Sequence, residues 1–265
     1  MIFPLFTEAR TTLKSALHIA SQAMKNTAAA RPEVTLASIQ RDFVEWRKER
    51  SHYAVWAIDV DIPALRAASA ALREHLADCL LPDYQRQAHV TVHLCGFPAA
   101  VPKLDDDYPA AVLQEQIAAL QAGAPEPFAL KICAPDSFVS AAYLSVDDCA
   151  DGILAIRRTL TGSGSNPEYG FPYTPHVTCG LYRGEFSLPE LIQRMAACEL
   201  DLPMHVQIER LTLMAYDAAI IGGPLSILCE FDLATRQIQR LDQALMTALF
   251  GQGQVHARTR RPISV

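Results

Sequence analysis

The sequence lacks the marks of several well-known protein classes. Its seven cysteines are scattered, odd in number and without a Cys-x-x-Cys pair, which argues against a disulfide framework and against a zinc site. No Gly-rich loop that would bind a nucleotide phosphate follows a strand-like segment. The N-terminus has no signal-peptide pattern, and residues 213–229, the most apolar long stretch, contain Asp217 and Pro224. We therefore expect a cytoplasmic protein with free, buried thiols and no membrane segment.

The chain also has no excess of positive charge. It carries 23 basic and 29 acidic residues, which gives a formal net charge of −6. An acidic protein gains little from attraction to a phosphate backbone, so we expect no extended nucleic-acid surface, although a local positive pocket could hold one phosphate. Half of the 265 residues are hydrophobic and a fifth are charged, which is typical of a globular protein with a sizeable core.

Periodicity divides the chain into three parts. Residues 1–50 are predicted to form a helical N-terminal extension, with helices over residues 7–24 and 36–49. Residues 51–233 alternate strand-like and helix-like segments and form the predicted two-lobed domain. Residues 234–265 are predicted to form a C-terminal helix and a basic tail, and the apolar face of that helix would comprise Ile238, Leu241, Leu245 and Leu249.

Within residues 51–233 a strand–helix–strand order occurs twice. The first copy runs from a strand around Val55, through a helix that begins near Pro63, to a strand that starts at His89. The second copy runs from a strand around Leu144 to a strand that starts at His176, and the two intervals differ by only two residues. This duplication indicates two lobes related by a pseudo-twofold axis.

Two details of the second half complete the predicted elements. Ser187 and Glu190 have the spacing of a capping box at a helix start, and residues 205–215 are predicted to form one strand. Alternating strands and helices often form a parallel, doubly wound sheet. Because no Gly-rich phosphate loop is present, we expect antiparallel sheets instead.

The segments Ala-His89-Val-Thr91-Val and Pro-His176-Val-Thr178-Cys carry the strongest functional signal. On a strand, residues i and i+2 face the same side, so each histidine shares a face with its threonine. The apolar residues between and after them would anchor the other face. Composition alone predicts roughly 0.4 His-x-Thr matches in the chain. Two matches at corresponding places of an internal repeat therefore indicate one paired site.

The chemistry of phosphodiester cleavage explains why such a pair is useful. A base must deprotonate the attacking water or hydroxyl, and an acid must protonate the departing oxygen; imidazole can do either near neutral pH. Threonine hydroxyls can donate hydrogen bonds to the non-bridging phosphate oxygens. We therefore predict that His89 and His176 are catalytic and that Thr91 and Thr178 bind phosphate, in a metal-independent phosphoesterase.

The paired motifs, their spacing and their strand–helix–strand setting resemble the two-histidine (2H) phosphoesterase superfamily, which includes bacterial 2′-5′ RNA ligase-like proteins and cyclic phosphodiesterases. The resemblance extends over about residues 53–233. It implies a bilobal α+β fold, with antiparallel sheets that line a central cleft and helices outside. It also implies hydrolysis of 2′,3′-cyclic or related cyclic phosphates, on small nucleotides or RNA ends, without a metal or another cofactor.

One contact of that superfamily has no clear counterpart. Many relatives carry a basic residue directly after the second motif, whereas the first arginine here is Arg183, which strand alternation would turn away from His176. The helical N-terminal part is also longer than the compact core needs.

Three more residues are candidates for substrate contacts. His93 would share the face of His89, Tyr182 would continue the face of His176, and Tyr173 directly precedes the second motif. The alternatives are a supporting role for His93, core packing for Tyr182 and a rigid loop around Tyr173. The three histidines could also be imagined as a metal site, but no carboxylate or cysteine accompanies them at ligand spacing, so we predict no metal.

Two other functions remain open from the sequence. One is reversible 2′-5′ ligation or cleavage of RNA. The other is a non-catalytic module that binds a nucleotide in the same cleft. Both intact His-Thr pairs favour an enzyme, and the sequence does not indicate the oligomeric state or which histidine is the acid.

Overall fold

The computed structural model describes residues 33–161 and 173–251, which contain ten strands and six helices. The strands are β1 (His52–Asp59), β2 (His89–Ala99), β3 (Asp107–Pro109), β4 (Phe128–Ser137), β5 (Ala141–Asp147), β6 (His176–Leu181), β7 (Met204–Ile208), β8 (Arg210–Asp217), β9 (Leu225–Asp232) and β10 (Ile238–Arg240). The helices are α1 (Val44–Arg47), α2 (Pro63–His75), α3 (Ala110–Gly123), α4 (Gly152–Thr161), α5 (Leu188–Ala196) and α6 (Gln243–Phe250).

The strands form two sheets. The larger sheet has the order β10-β9-β8-β1-β2-β3, and the smaller sheet has the order β6-β5-β4-β7. All neighbouring strands in these sheets are antiparallel except β2 and β3. The predicted α+β fold with antiparallel sheets is confirmed, and each sheet contains one of the two His-x-Thr strands, β2 and β6.

The segment predicted as one strand over residues 205–215 is two strands in different sheets. β7 ends at Ile208 beside β4, and β8 begins at Arg210 beside β1 and β9, so the chain crosses from one sheet to the other at Glu209. The prediction was wrong because strand-like residues continue through the crossing while the hydrogen-bonding partners change. The larger sheet therefore combines strands from both ends of the described chain.

The main apolar core joins the sheets to the helices. Helix α2 begins at Pro63 as predicted, because a proline in the first helical turn loses no hydrogen bond and already has a helical φ. Leu72 of the same helix is fully buried. Trp56 of β1 donates a 2.7 Å hydrogen bond to Oε1 of Gln116 on α3, and Tyr108 donates to the same oxygen. This buried amide oxygen is therefore satisfied, as the interior requires.

Residues 33–50, which we call the strap, have little regular secondary structure. Apart from the single turn α1 they are not helical, so the predicted helix over residues 36–49 is wrong. The amide of Thr35 instead donates to the carbonyl of Phe186 at 2.9 Å, beside the smaller sheet. Such tertiary hydrogen bonds replace those that a helix would make within itself.

The other end of the strap is fixed to the larger sheet. Arg50 donates to the carboxylates of Asp106 and Asp107, and its guanidinium lies 3.6 Å from the ring centre of Phe97. The ring of Trp46 packs on the same phenylalanine at a centroid distance of 4.9 Å. The strap therefore connects the two sheets.

Two more predictions differ from the structure. Ile238 belongs to β10, where it pairs with Phe231, so the last helix begins only at Gln243. Ser187 is the N-cap residue of α5, but its side chain makes no capping hydrogen bond, and its backbone forms a β-bridge with Val34 of the strap. The predicted helix over residues 7–24 and the basic tail lie outside the described residues, and the division of the chain at residues 50 and 233 stays a prediction.

All seven cysteines are free, as predicted, but only four are buried: Cys79, Cys95, Cys179 and Cys229. Within residues 33–161 and 173–251, no helix has the length and apolar character needed to cross a membrane. The cytoplasmic location stays a prediction.

Candidate active site

The strands β2 and β6 bring the two predicted catalytic histidines together. His89 is the first residue of β2, His176 is the first residue of β6, and the two strands contact each other. The imidazoles are close enough for the charge of His176 to lower the pKa of His89. Two histidines that are far apart in the sequence therefore belong to one site.

Both imidazoles are held in the same way. Nδ1 of His89 lies 2.8 Å from the carbonyl oxygen of Gln87, and Nδ1 of His176 lies 2.7 Å from that of Thr174. A carbonyl oxygen only accepts, so each Nδ1 donates a hydrogen and, in the neutral ring, Nε2 carries the lone pair. Each imidazole is thus fixed in orientation by the carbonyl two residues before it, with Nε2 left for proton transfer.

Burial favours the neutral form of both imidazoles. It lowers the pKa of His89 to about 4, with further lowering by the charges of Arg86 and His176 and a partial offset from the bond to Gln87. Burial also lowers the pKa of His176, against the opposing effect of the bond to Thr174. His89 is therefore neutral at pH 7, and burial favours the neutral form of His176 as well.

Each threonine lies on the same strand face as its histidine. Thr91 is paired with Ala57 of β1, and Thr178 is paired with Tyr143 of β5. Directly paired residues of neighbouring strands share a face. The valine between histidine and threonine is fully buried in the main core on both strands. We call the face that carries the histidines and threonines the cleft face.

Both strands then contain a bulge directly after the threonine. In β2, His93 pairs with Trp56 and Thr91 pairs with the next residue of β1, so Val92 is the extra residue. His93 is therefore on the core side with Trp56, and it is only 3 % exposed. The prediction that His93 shares the face of His89 is wrong, because alternation stops at the bulge.

The bulge of β6 has the same position. Its extra residue is Cys179, between Thr178 and Gly180. Tyr182 consequently faces the core: it is fully buried, and its hydroxyl shares a 2.6 Å hydrogen bond with that of Ser137. The expectation that Tyr182 continues the cleft face is corrected, and its structural alternative, core packing, is what the structure has.

After the bulges the two strands match again. The sequences are His-Val-Thr-Val-His-Leu94 and His-Val-Thr-Cys-Gly-Leu181, and the two leucines line the same cavity of about 350 Å³. Histidine, threonine and leucine thus occupy corresponding places on the two strands. The internal duplication extends to the bulge and to the anchoring of the imidazoles, which spacing alone does not reveal.

Tyr173 lies at the edge of the site and holds the backbone of β2. Its hydroxyl donates a 2.7 Å hydrogen bond to the carbonyl of Thr91. The guanidinium of Arg157 lies 3.6 Å from the centre of its ring and donates a 2.6 Å hydrogen bond to the carbonyl of Val92. Both bonds end at the bulge of the first motif. A direct contact between Tyr173 and substrate stays a prediction.

Aromatic rings surround His176. Its ring lies 4.8 Å from that of Phe138, nearly perpendicular, and 5.4 Å from that of Tyr143. The neighbours of the two histidines therefore differ: a guanidinium acts on His89, whereas aromatic rings pack against His176.

Two residues of the site escaped the sequence analysis. Tyr84 and Thr178 line the same small cavity and lie close enough for their side chains to interact, and burial raises the pKa of Tyr84 to about 12, so it stays neutral. The guanidinium of Arg86 lies 4.0 Å from the ring centre of Tyr216, and its buried Nε has no hydrogen-bond partner in the part of the chain that the structure describes. The charge of Arg86 reaches His89, so a cation lies beside the first motif, whereas none directly follows the second.

In the sequence, only the position of Tyr84 and Arg86 next to the first motif could have indicated that they belong to the site. They belong to the polar loop Asp83-Tyr-Gln-Arg-Gln87, which directly precedes the first motif as Tyr173 precedes the second. Their contacts, however, are with β6 and β8 and depend on the tertiary fold.

No three His, Cys, Asp or Glu side chains come together as a metal site among residues 33–161 and 173–251. The predicted independence of metal and cofactor stays a prediction.

Two antiparallel sheets, each with one strand-borne His-x-Thr motif at a shared site, define the class of two-histidine phosphoesterases. A family model described as the 2′-5′ RNA ligase superfamily matches residues 81–219, a little over half of the chain. The chain belongs to this superfamily, and the predicted family is confirmed. No curated protein sequence matches the chain.

Several solved structures are similar in fold. A crystal structure of E. coli LigT complexed with 3′-AMP is 17 % identical, covers 73 % of this chain and 99 % of its own, and has a TM-score of 0.43. TT0787 of Thermus thermophilus is 15 % identical over 68 % and 97 % of the two chains, with a TM-score of 0.46. Usb1 of Kluyveromyces marxianus is 12 % identical over 68 % and 97 %, with a TM-score of 0.36. At such identities the likeness concerns the fold alone.

Proposed function

We propose that the protein hydrolyses 2′,3′-cyclic phosphodiesters, on small nucleotides or at RNA ends, with His89 and His176 as its acid–base pair. The observation that carries the proposal is the matched pair of imidazoles. Each has Nδ1 bonded to a carbonyl, a lowered pKa and a threonine on the same strand face. Membership of a phosphoesterase superfamily supports an enzyme of this type.

We assign the base to His89 and the acid to His176 because their surroundings differ. The charge of Arg86 lowers the pKa of His89, which favours the neutral form that a base requires. No charge of this kind is among the causes that lower the pKa of His176, which burial alone lowers. His176 is therefore the imidazole that takes up a proton more readily, as an acid requires.

In the proposed step, Nε2 of His89 takes a proton from water while the water oxygen attacks phosphorus. The bond between phosphorus and one ribose oxygen breaks, and the imidazolium form of His176, in which Nε2 also carries a proton, gives that proton to the oxygen. The product is a phosphomonoester, and exchange with solvent restores both proton states. Each well-placed proton transfer contributes roughly 10²- to 10⁴-fold to the rate.

Charge stabilisation is assigned to three side chains. Thr91 and Thr178 are proposed to donate hydrogen bonds to the non-bridging oxygens of the phosphate, where negative charge resides. The guanidinium of Arg86, with its uncommitted Nε, would add a charge-assisted hydrogen bond. These donors would replace the electrostatic role that a metal ion has in other phosphoesterases.

The test is a substrate screen with the purified full chain in the presence of a chelator. It would contain the four nucleoside 2′,3′-cyclic phosphates and an RNA oligonucleotide that ends in a 2′,3′-cyclic phosphate, with products identified by mass spectrometry. We expect a phosphomonoester from at least one of them, and none from His89→Ala or His176→Ala. Full activity of purified His89→Ala on every substrate would contradict the proposal. Adding RNA with a free 5′-hydroxyl to the same reactions reveals ligation if a joined product forms.

A further inference from the structure

The cavity of about 350 Å³ lies directly beyond the two threonines. Leu94 and Leu181 line it, and these leucines are the next cleft-face residues after Thr91 and Thr178. Its volume lies in the range of small-molecule sites, about 300–1,000 Å³. A molecule whose phosphate sits between the threonines and whose other end follows the cleft face would meet this cavity.

Aromatic side chains form much of its wall. Tyr53 of β1 and Tyr216 of β8 contribute from the larger sheet. Phe43 and Trp46 contribute from the strap, and the rings of Trp46 and Tyr53 lie 5.5 Å apart. Flat aromatic walls beside leucines suit a flat aromatic ligand, because nucleobases stack on such rings.

Arg86 connects this cavity to the phosphate end of the site. It lines the aromatic cavity and also a second cavity of about 220 Å³, to which Thr178 and Tyr84 contribute. A cation between a hydroxyl-lined end and an aromatic end matches the layout of a nucleotide, in which a charged phosphate and an apolar base are joined by a sugar.

The strap holds its part of the wall firmly. It is bonded through Thr35 to the segment that follows β6 of the smaller sheet and through Arg50 to the larger sheet, with Phe43 and Trp46 between these anchors. The whole strap also lies outside residues 81–219, the part of the chain that matches the superfamily model. A property set by the strap would therefore belong to this chain and not to the motifs of the superfamily.

We propose that the strap-lined cavity binds the nucleobase of the cyclic-phosphate substrate and that Phe43 and Trp46 determine which bases are accepted. This inference rests on the proposed function for its substrate. It concerns recognition and not the chemical step, so binding can test it separately.

The binding test uses the two tryptophans of the chain. Trp56 is fully buried in the core, so Trp46 is the one that a ligand in the cavity reaches. In the His89→Ala/His176→Ala double variant, which is proposed not to turn over substrate, 2′- and 3′-nucleoside monophosphates should quench the emission of Trp46. The Trp46→Phe variant keeps an aromatic ring and should lose the response. The proposal would be overturned if no nucleotide, whichever of the four bases it carries, quenches the emission. It would also be overturned if the emission changes only with protein concentration, which would indicate that a second copy of the chain occupies the cavity.

The kinetic test compares substrates with and without a base. Phe43→Ala should lower kcat/KM for nucleoside 2′,3′-cyclic phosphates by roughly 5- to 150-fold relative to glycerol 1,2-cyclic phosphate, which has no base to stack. Val44→Ala is the matched control, since Val44 is 56 % exposed and outside the cavity. An equal loss on both substrates would overturn the proposal. If the unmodified protein turns over no cyclic phosphate, the proposed function fails, and the Trp46 titration still decides the base site.

Discussion

The two His-x-Thr strands agree in the features that orient the imidazoles and differ in what surrounds them. Both strands begin with a histidine whose Nδ1 is bonded to the carbonyl two residues before it, and both have a bulge after the threonine. The bulge of β2 turns His93 toward the core, and Gly180 occupies the equivalent position in β6. Arg86 acts on His89, whereas aromatic rings pack against His176. The shared features prepare two equivalent Nε2 atoms, and the differences allow one to be the acid and the other the base.

The largest expected effect is the loss of either imidazole. His89→Gln and His176→Gln should each lower kcat/KM by roughly 10²- to 10⁴-fold, because each removes one proton transfer. The double variant should be little worse than either single variant, since the two groups act as a unit. Kinetics on the preferred cyclic phosphate give the values, and thermal unfolding at pH 7 shows whether the variants fold.

The pH profile separates the two roles. Both pKa values are lowered, so kcat/KM of the unmodified enzyme should be bell-shaped with its maximum below pH 6.5. The rising limb should reflect His89, which must lose its proton to be a base, and the falling limb should reflect His176, which must keep its proton. Residual activity of His89→Gln should lack the rising limb. If it lacks the falling limb instead, the assignment is reversed.

The paired motif could be predicted from the sequence because strand alternation is a local property. Alternation correctly predicts the shared face of His89 and Thr91, and it fails two residues later. A bulge depends on how two strands pair, and nothing in the sequence of β2 marks Val92 as an extra residue. The same limit explains the error over residues 36–49, where hydrogen bonds to a distant loop override helical spacing.

The second effect concerns stability and the bulge of β2. Burial, with the charge of Arg157, lowers the pKa of His93 to about 4, and its Nε2 has no partner among the described residues. A histidine with a lowered folded-state pKa stabilises the fold fully above its unfolded pKa, about 6.5, and loses that contribution as the pH falls toward 4. His93→Leu should therefore reduce the loss of unfolding free energy between pH 7 and pH 4.5 by about 2–3 kcal/mol.

Chemical denaturation at the two pH values measures this difference. His205→Gln is the control, because it removes an exposed histidine from β7. An equal pH dependence of the unmodified protein and His93→Leu would show that His93 is not held neutral by the fold.

A third effect distinguishes the two arginines nearest the motifs. Arg86→Gln should lower kcat/KM by roughly 10- to 150-fold, the range expected when a hydrogen bond from a charged group is lost. It should also move the rising limb of the pH profile to higher pH, because the charge of Arg86 lowers the pKa of His89. Arg183→Gln, an exposed residue after the second motif, should change neither quantity. If only Arg183→Gln lowers kcat/KM, the cation that acts in the site is the one after the second motif, as in the superfamily. The role proposed for Arg86 would then be refuted.

The smallest effect compares the tyrosines that support the two threonines. Tyr84 lies beside the side chain of Thr178, whereas Tyr173 donates a hydrogen bond to the carbonyl of Thr91. Tyr84→Phe should therefore remove an interaction with the hydroxyl that is proposed to bind phosphate and lower kcat/KM by roughly 2- to 12-fold, the equivalent of one neutral hydrogen bond. Tyr173→Phe removes a backbone bond and should mainly lower the temperature of unfolding. Equal kinetic losses in both variants would show that Tyr84 does not orient the hydroxyl of Thr178. Both tyrosines would then act only through the backbone.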